Sequence, residues 1–226
     1  IYYITISSDG NTEDFGDLIR NQRHQGGGVS SQTRGIFAGG YKTSNGGSNV
    51  IEYVQIKTLG NTADFGDLAS SAHSVGGCSN STRGIFAGDA SGTATNKTLQ
   101  YVTISTLGNT QDFGDLTVGD RDISTASSST RGIFAGGHTP SPTGRVNIID
   151  YVIIASTGNA VDFGDLQYTN NGRYERMNAT SKTRCVFQAS SPATMEYIEM
   201  SSTGNAVDFG TATATSSVTA SGRMCD

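Results

Sequence analysis

The sequence predicts an all-β fold built from repeated four-stranded antiparallel sheets, and three observations carry that reading. A nine-residue stretch recurs five times: GNTEDFGDL at 10–18, GNTADFGDL at 60–68, GNTQDFGDL at 108–116, GNAVDFGDL at 158–166 and GNAVDFGTA at 204–212. A second motif interleaves with it: TRGIFAGG at 33–40, TRGIFAGD at 82–89, TRGIFAGG at 130–137, TRCVFQAS at 183–190 and a remnant GRMCD at 222–226. A tyrosine marks each unit at Tyr3, Tyr53, Tyr101, Tyr151 and Tyr197, at intervals of 50, 48, 50 and 46. Self-similarity at such a period is the signature of propellers and solenoids.

Each unit divides into four short extended segments, here a to d. Segment a precedes the arginine, as in SVGGCSN, with a small apolar residue five positions ahead of it: Val29, Cys78, Ala126, Ala179 and Val218. Segment b is RGIFAGG, where the β-formers Ile and Phe are fenced by glycines. Segment c, as in IEYVQI, is apolar on both faces (Leu99 and Tyr101 against Val102 and Ile104), which predicts a strand in a sheet stacked between others. Segment d is DFGDL. Four short antiparallel strands per unit, stacked face to face, describe the blades of a β-propeller. Helix has no support, since glycine and β-branched residues are dense and no 3.6-residue stripe persists.

The chain opens in segment c and stops in segment b. Five blades are therefore expected over repeats 1–50, 51–98, 99–148, 149–194 and 195–226, in one domain spanning 1–226. N-terminal and C-terminal strands would close the ring by pairing in one composite blade, removing two exposed sheet edges. A fragment of a six- or seven-bladed ring, or an open array, is the alternative. Because Ile1 falls inside an expected strand, the sequence reads as a piece of a longer polypeptide.

Composition fits short strands joined by polar turns. There are 30 Gly, 3 Pro and no Trp, with 35% hydrophobic and 15% charged residues. A net charge of −5 gives no basic patch for nucleic acid, and no apolar run approaches the roughly 20 residues of a membrane-spanning helix. Cys78, Cys185 and Cys225 are odd in number and scattered, so they read as small buried apolar residues rather than a disulfide or zinc set.

Spacing separates two ends of the fold. Tyr to the Phe of DFG is 12 residues in every copy, whereas Phe to the next Arg is 19, 18, 18, 21 and 14, and Arg to the next Tyr is 19, 18, 20 and 13. In a meander the a–b and c–d turns share one end, which is uniform; the b–c and d–a connections share the other and take the variation. Varied loops on a rigid scaffold are where binding usually lives. At the uniform end, Asp14, Asp64, Asp112, Asp162 and Asp208 precede the Phe, and Arg34, Arg83, Arg131, Arg184 and Arg223 open segment b. A structural ring is expected, with each arginine bridging carboxylates and turn backbone within or between blades. The later Asp17, Asp67, Asp115 and Asp165 are expected to serve as turn acceptors.

Catalysis finds little footing. Asp-Phe-Gly is a magnesium ligand motif in kinases, but the phosphate loop, strand lysine and His-Arg-Asp loop that it needs are missing. Ser8-Asp9-Gly10-Asn11-Thr12 loosely resembles the Asp-box turn of sialidase propellers, itself structural, and the other copies lack its Asp. His24 and His73 stand at equivalent places ten residues before their arginines, with Arg121 in the third repeat; these three predict a channel-facing polar ring rather than a metal site. Neither cofactor nor metal is expected, and no nucleophile–base pair is evident. The best binding candidate is the longest d–a connection, YTNNGRYER at 168–176, where Tyr168, Asn170, Asn171, Arg173, Tyr174 and Arg176 combine stacking area with planar hydrogen-bonding groups. YKTSNGGSN at 41–49 and HTPSPTGRV at 138–146 come second. Sequons at Asn80, Asn96 and Asn178 are expected by chance.

The glycine pair ending segment b (Gly39-Gly40, Gly136-Gly137), the Tyr of c and the aromatic of d resemble the kelch, galactose-oxidase-like propeller repeat. Phe stands where Trp is usual, and the second Gly is lost in the second and fourth copies. The paired motifs TRGIFAGG and GNTxDFGDL look more closely like repeats of structural, tail-fibre-like proteins of marine cyanobacterial phages, over essentially the whole chain. That resemblance implies a non-enzymatic, extracellular virion component in a fibre, spike or capsid decoration. Its loops would be displayed toward a host-surface glycan or receptor, or toward other virion proteins or its own flanking domains, without nucleic acid or membrane insertion. A purely architectural spacer, and less readily a carbohydrate-active enzyme, are the alternatives.

Overall fold

In the computed structural model, residues 1–19, 22–23, 26–42, 46–88, 96–119, 122–139, 144–167, 177–188 and 194–211 are described. Every regular element among them is a β-strand. A hairpin of β1 (Tyr2–Tyr3) and β2 (Glu13–Asp14) comes first. Four antiparallel meanders follow, each in the order a–b–c–d. The first sheet is β4 (Gly27–Ser30), β5 (Arg34–Ala38), β7 (Gly46–Gln55) and β8 (Ala63–Ala72), extended by a ribbon of β3 (Gln22–Arg23) and β6 (Tyr41–Lys42) on the start of β7. The second is β9 (Gly76–Ser79), β10 (Arg83–Ala87), β11 (Thr98–Thr103) and β12 (Gln111–Asp115). The third is β13 (Ser124–Ser127), β14 (Arg131–His138), β15 (Arg145–Ile153) and β16 (Val161–Asp165). The fourth is β17 (Met177–Thr180), β18 (Arg184–Gln188), β19 (Thr194–Glu199) and β20 (Val207–Thr211). This is the propeller-like, all-β arrangement expected, and among the described residues the series of sheets is open at both ends.

Register repeats as faithfully as sequence. Val29 faces Ile36, Cys78 faces Ile85, Ala126 faces Ile133 and Ala179 faces Val186 across the a–b ladder. The residue two past each arginine then faces the tyrosine of c: Ile36–Tyr53, Ile85–Tyr101, Ile133–Tyr151 and Val186–Tyr197. A bulge follows in every c–d ladder, as between Leu99 and Gln100, so the DFG strand bends at the same place each time.

The core lies between sheets rather than within one. Val29, Ile36, Phe65 and Leu68 of the first sheet pack with Phe86, Val102 and Ile104 of the second. Cys78, Ile85, Leu99 and Phe113 meet Phe134, Val152 and Ile154, and Ala126, Ile133, Ile149 and Phe163 meet Phe187, Ile198 and Met200. Burying one such side chain contributes roughly 1.5–3 kcal/mol. Strand c needs apolar residues on both faces because it feeds two of these clusters: Leu99 joins the one toward the third sheet, Val102 the one toward the first.

The a strands meet one another, and their glycines follow from that crowding. A Cβ on Gly77 would lie 3.0 Å from the Gly28 carbonyl of the preceding sheet. Thr125 Oγ1 donates to Gly77 O at 2.8 Å, and Asn178 Nδ2 donates to Thr125 O at 3.1 Å, so hydrogen bonds run from one a strand to the next.

Candidate functional site

The repeated nonapeptide is an inter-sheet joint whose two halves serve different neighbours. Its GN half binds the DFGD half of the copy before it. Gly60 N donates to Phe15 O, Gly108 N to Phe65 O, Gly158 N to Phe113 O and Gly204 N to Phe163 O, at 2.7–2.8 Å. The next asparagine accepts from the following aspartate's backbone: Asp17 N to Asn61 Oδ1, Asp67 N to Asn109 Oδ1, Asp115 N to Asn159 Oδ1 and Asp165 N to Asn205 Oδ1, at 2.9–3.1 Å. A third bond returns from the Thr or Ala after Asn, as from Thr110 N to Asp67 O at 2.9 Å. Three letters of DFG thus serve as joinery, and the later aspartates act through their backbone rather than as the side-chain turn acceptors expected.

A buried acceptor completes each joint. The residue before Tyr in strand c is Glu52, Gln100, Asp150 or Glu196, all buried between sheets. Each accepts a hydrogen bond from a backbone N–H just beyond the preceding DFGDL: Ile19 N to Glu52 Oε2, Ala69 N to Gln100 Oε1, Thr117 N to Asp150 Oδ2 and Gln167 N to Glu196 Oε2. Strand d is outermost, and its onward chain would otherwise bury unpaired N–H groups. Sequence reading missed these residues because the letter changes between copies. The usable signal was a polar acceptor at one fixed place in an otherwise apolar strand.

Burial perturbs the Asp150 carboxyl. Removal from water raises its pKa above the ordinary carboxylate value, opposed by the bonds from Thr117 N and Oγ1; Asp162 adds to the rise and Lys97 reduces it. Because the folded-state pKa is the higher one, its contribution to stability is full below the unfolded value and is lost as pH rises through the raised value. Asp150→Asn is expected to remove that loss while keeping an acceptor for Thr117, as Gln100 does one sheet earlier. Urea midpoints of both proteins between pH 4 and pH 7 check this, and a mutant-minus-parent difference that does not change with pH would refute it.

Three arginines of the uniform end also bridge two sheets. Arg34 Nη1 donates to Ile104 O, Arg83 Nη1 to Ile154 O and Arg131 Nη1 to Met200 O, at 2.8, 2.9 and 3.0 Å. The guanidinium carbons stand 4.9, 4.4 and 4.8 Å from the ring centres of Tyr53, Tyr101 and Tyr151, whose rings meet Phe65, Phe113 and Phe163 edge-on at 5.9 Å. Turn backbone between sheets is therefore the partner anticipated. Among the described residues, no ion pair joins these arginines to Asp14, Asp64, Asp112, Asp162 or Asp208. Those aspartates are exposed on the outermost strand, where charge discourages pairing with a further strand. Arg184 instead pairs with Glu199 of its own sheet.

No protein-family model matches the chain, and no curated protein matches it.

The loop of Tyr168, Asn170, Asn171, Arg173, Tyr174 and Arg176 lies outside the described residues, as do Arg223, His24, Arg121 and Cys225. Of the expected polar ring only His73 is described; its ring meets Tyr41 edge-on at 5.3 Å, bringing a d–a connection beside a b–c one. Thr139 N donates to Gly144 O at 2.7 Å and closes the base of the 138–146 connection. Cys78 and Cys185 are buried and form no disulfide. Two sequon asparagines have structural tasks: Asn80 Oδ1 accepts from Thr82 N and Arg83 N, and buried Asn178 bonds Thr125.

Proposed function

We propose that this chain is a non-enzymatic virion component, a five-bladed propeller in a fibre, spike or capsid decoration. It displays its b–c and d–a connections toward a host-surface glycan, a receptor or a neighbouring virion protein. The observation that carries this reading is the division of labour along each repeat. The repeated Gly and Asn positions are engaged with a preceding sheet, and the Phe and Arg positions with a following one or the core, wherever that neighbour is described, which leaves variation in length to the opposite end. The virion assignment itself rests on the likeness of the TRGIFAGG and GNTxDFGDL repeats to tail-fibre-like proteins.

Closure through a composite blade is part of the proposal, with the C-terminal strands supplying a and b to the c and d of β1–β2. Support comes from two exposed residues of the first sheet. Phe37 is 37% and Ile56 43% exposed, whereas their counterparts in later sheets, Phe86, Phe134, Phe187, Ile104, Ile154 and Met200, are all buried against the preceding sheet. A preceding a–b pair is what would cover them.

A glycan array probed with the purified chain tests display. Binding is expected, and Tyr174→Ala with Arg173→Ala is expected to lower it at least about tenfold, in line with loss of stacking and charge-assisted bonds. Retained binding in that variant would overturn the 168–176 assignment, and a chain that binds no glycan and no virion protein would favour the spacer.

A further inference from the structure

Four copies of the joint are built among the described residues, and the two ends of the series present the halves of one more. At the N-terminal end, Gly10-Asn11-Thr12 is exposed with no preceding DFG against it. Ile6 stands three residues after Tyr3, where Ile104, Ile154 and Met200 stand after their tyrosines; those three are buried and Ile6 is 95% exposed. At the C-terminal end, Phe209 is 49% exposed where Phe15, Phe65, Phe113 and Phe163 are buried. Gly210 has open space where a Cβ would point, while the same probe on Gly16, Gly66, Gly114 and Gly164 meets the backbone of the next GN. Arg184 lacks the following-sheet carbonyl that its three counterparts hold, and it rests on exposed Glu199 instead.

These unmet groups at one end have their complements at the other in spacing, although Tyr2 stands where the other joints have a Glu, Gln or Asp acceptor. We infer that residues 6–12 and β20 with Arg184 form a fifth joint within one chain, so that the fourth sheet docks on the β1–β2 hairpin. The bonds follow from the other four. Gly10 N donates to Phe209 O, Thr211 N to Asn11 Oδ1 and Thr12 N to Thr211 O, while Arg184 leaves Glu199 for the carbonyl of Ile6. Phe209 and Ile6 then bury each other's exposed apolar surface, as Phe65 and Ile104 do. Glu199 yields readily, because an exposed ion pair contributes little. Two ends of one chain meet at high effective concentration, which favours this occupant over a second copy. The inference rests on the five-bladed reading but is separable from it, since composite-blade pairing and this joint lie on opposite sides of the same hairpin.

The test is disulfide trapping in dilute full-length protein carrying Cys225→Ser, so that only the buried Cys78 and Cys185 remain. Asn11→Cys with Thr211→Cys is compared with Asp67→Cys and Asn109→Cys, the equivalent pair in a joint already described. Mild oxidation is expected to link 11 to 211 within a monomer as efficiently as 67 to 109, read by mass spectrometry of the linked peptides. An 11–211 pair that stays reduced while the control links, or that links only between two chains, overturns the inference. Ile4→Cys with Met224→Cys reports the composite blade, since Ile4 would face Met224 by the register that puts Val54 opposite Gly35. Linkage there without 11–211 leaves the five-bladed ring and sinks the joint; failure of both sinks the ring as well.

Discussion

Gly66→Ala is expected to lower the thermal midpoint by about 6–12 °C, because that glycine is fixed twice over, by its backbone and by its neighbour. Its φ is +149°, a conformation that residues with a Cβ rarely adopt. A Cβ there would overlap the Gly108 carbonyl and lie 2.9 Å from Asn109 N, so the two sheets would have to separate where Gly108 N bonds Phe65 O and Asp67 N bonds Asn109. Backbone strain of this kind costs roughly 1–3 kcal/mol, and each weakened hydrogen bond about 1 kcal/mol more. A total near 3 kcal/mol corresponds to about 6–12 °C in a chain of this size. Gly60→Ala is the control, since φ is again +149° but nothing lies within 4 Å of the added carbon. It is expected to lose the strain component alone, and equal losses in the two variants would show that contact between sheets is not what selects glycine in DFG.

That contrast also marks how far the sequence could be read. Gly60 and Gly66 belong to one nonapeptide and are equally invariant among its copies, yet one glycine presses on the next sheet and the other does not. The strands, their order and the constant c–d turn were legible because they follow from local alternation and spacing within about ten residues. The joint was not, because Phe65 meets Gly108 across 43 residues and no local pattern encodes a partner at that distance. The arginine was half legible. Its charge and place at the head of strand b announced a bridge, but a guanidinium is satisfied equally by a carboxylate or by carbonyls and aromatic faces, and sequence alone does not choose. The structure chooses the carbonyl of Ile154 and the face of Tyr101, leaving Asp64 and its counterparts to the solvent edge. Least legible were Glu52, Gln100, Asp150 and Glu196, whose shared task is set by position while their identities differ.

The arginine choice has a measurable cost. Arg83→Ala removes a charge-assisted bond to Ile154 O, worth roughly 1.5–3 kcal/mol when a partly buried acceptor is left behind. It also removes the stacking of the cation on Tyr101, at about 0.5–2 kcal/mol. A loss of about 2–4 kcal/mol is therefore expected in urea unfolding. Arg83→Lys should recover only part of it, because an ammonium keeps the charge but not the flat surface that lies on the ring. Arg184→Ala provides the comparison within the same molecule. If Arg184 stays on Glu199, an exposed pair of about 0–1 kcal/mol and the contact with Tyr197 are all that it loses. A loss as large as that of Arg83→Ala would mean that Arg184 holds a carbonyl of a following sheet, and Ile6 is the one that the repeat supplies. The same pair of variants thus weighs the arginine bridge where it is built and reports whether a fifth bridge forms.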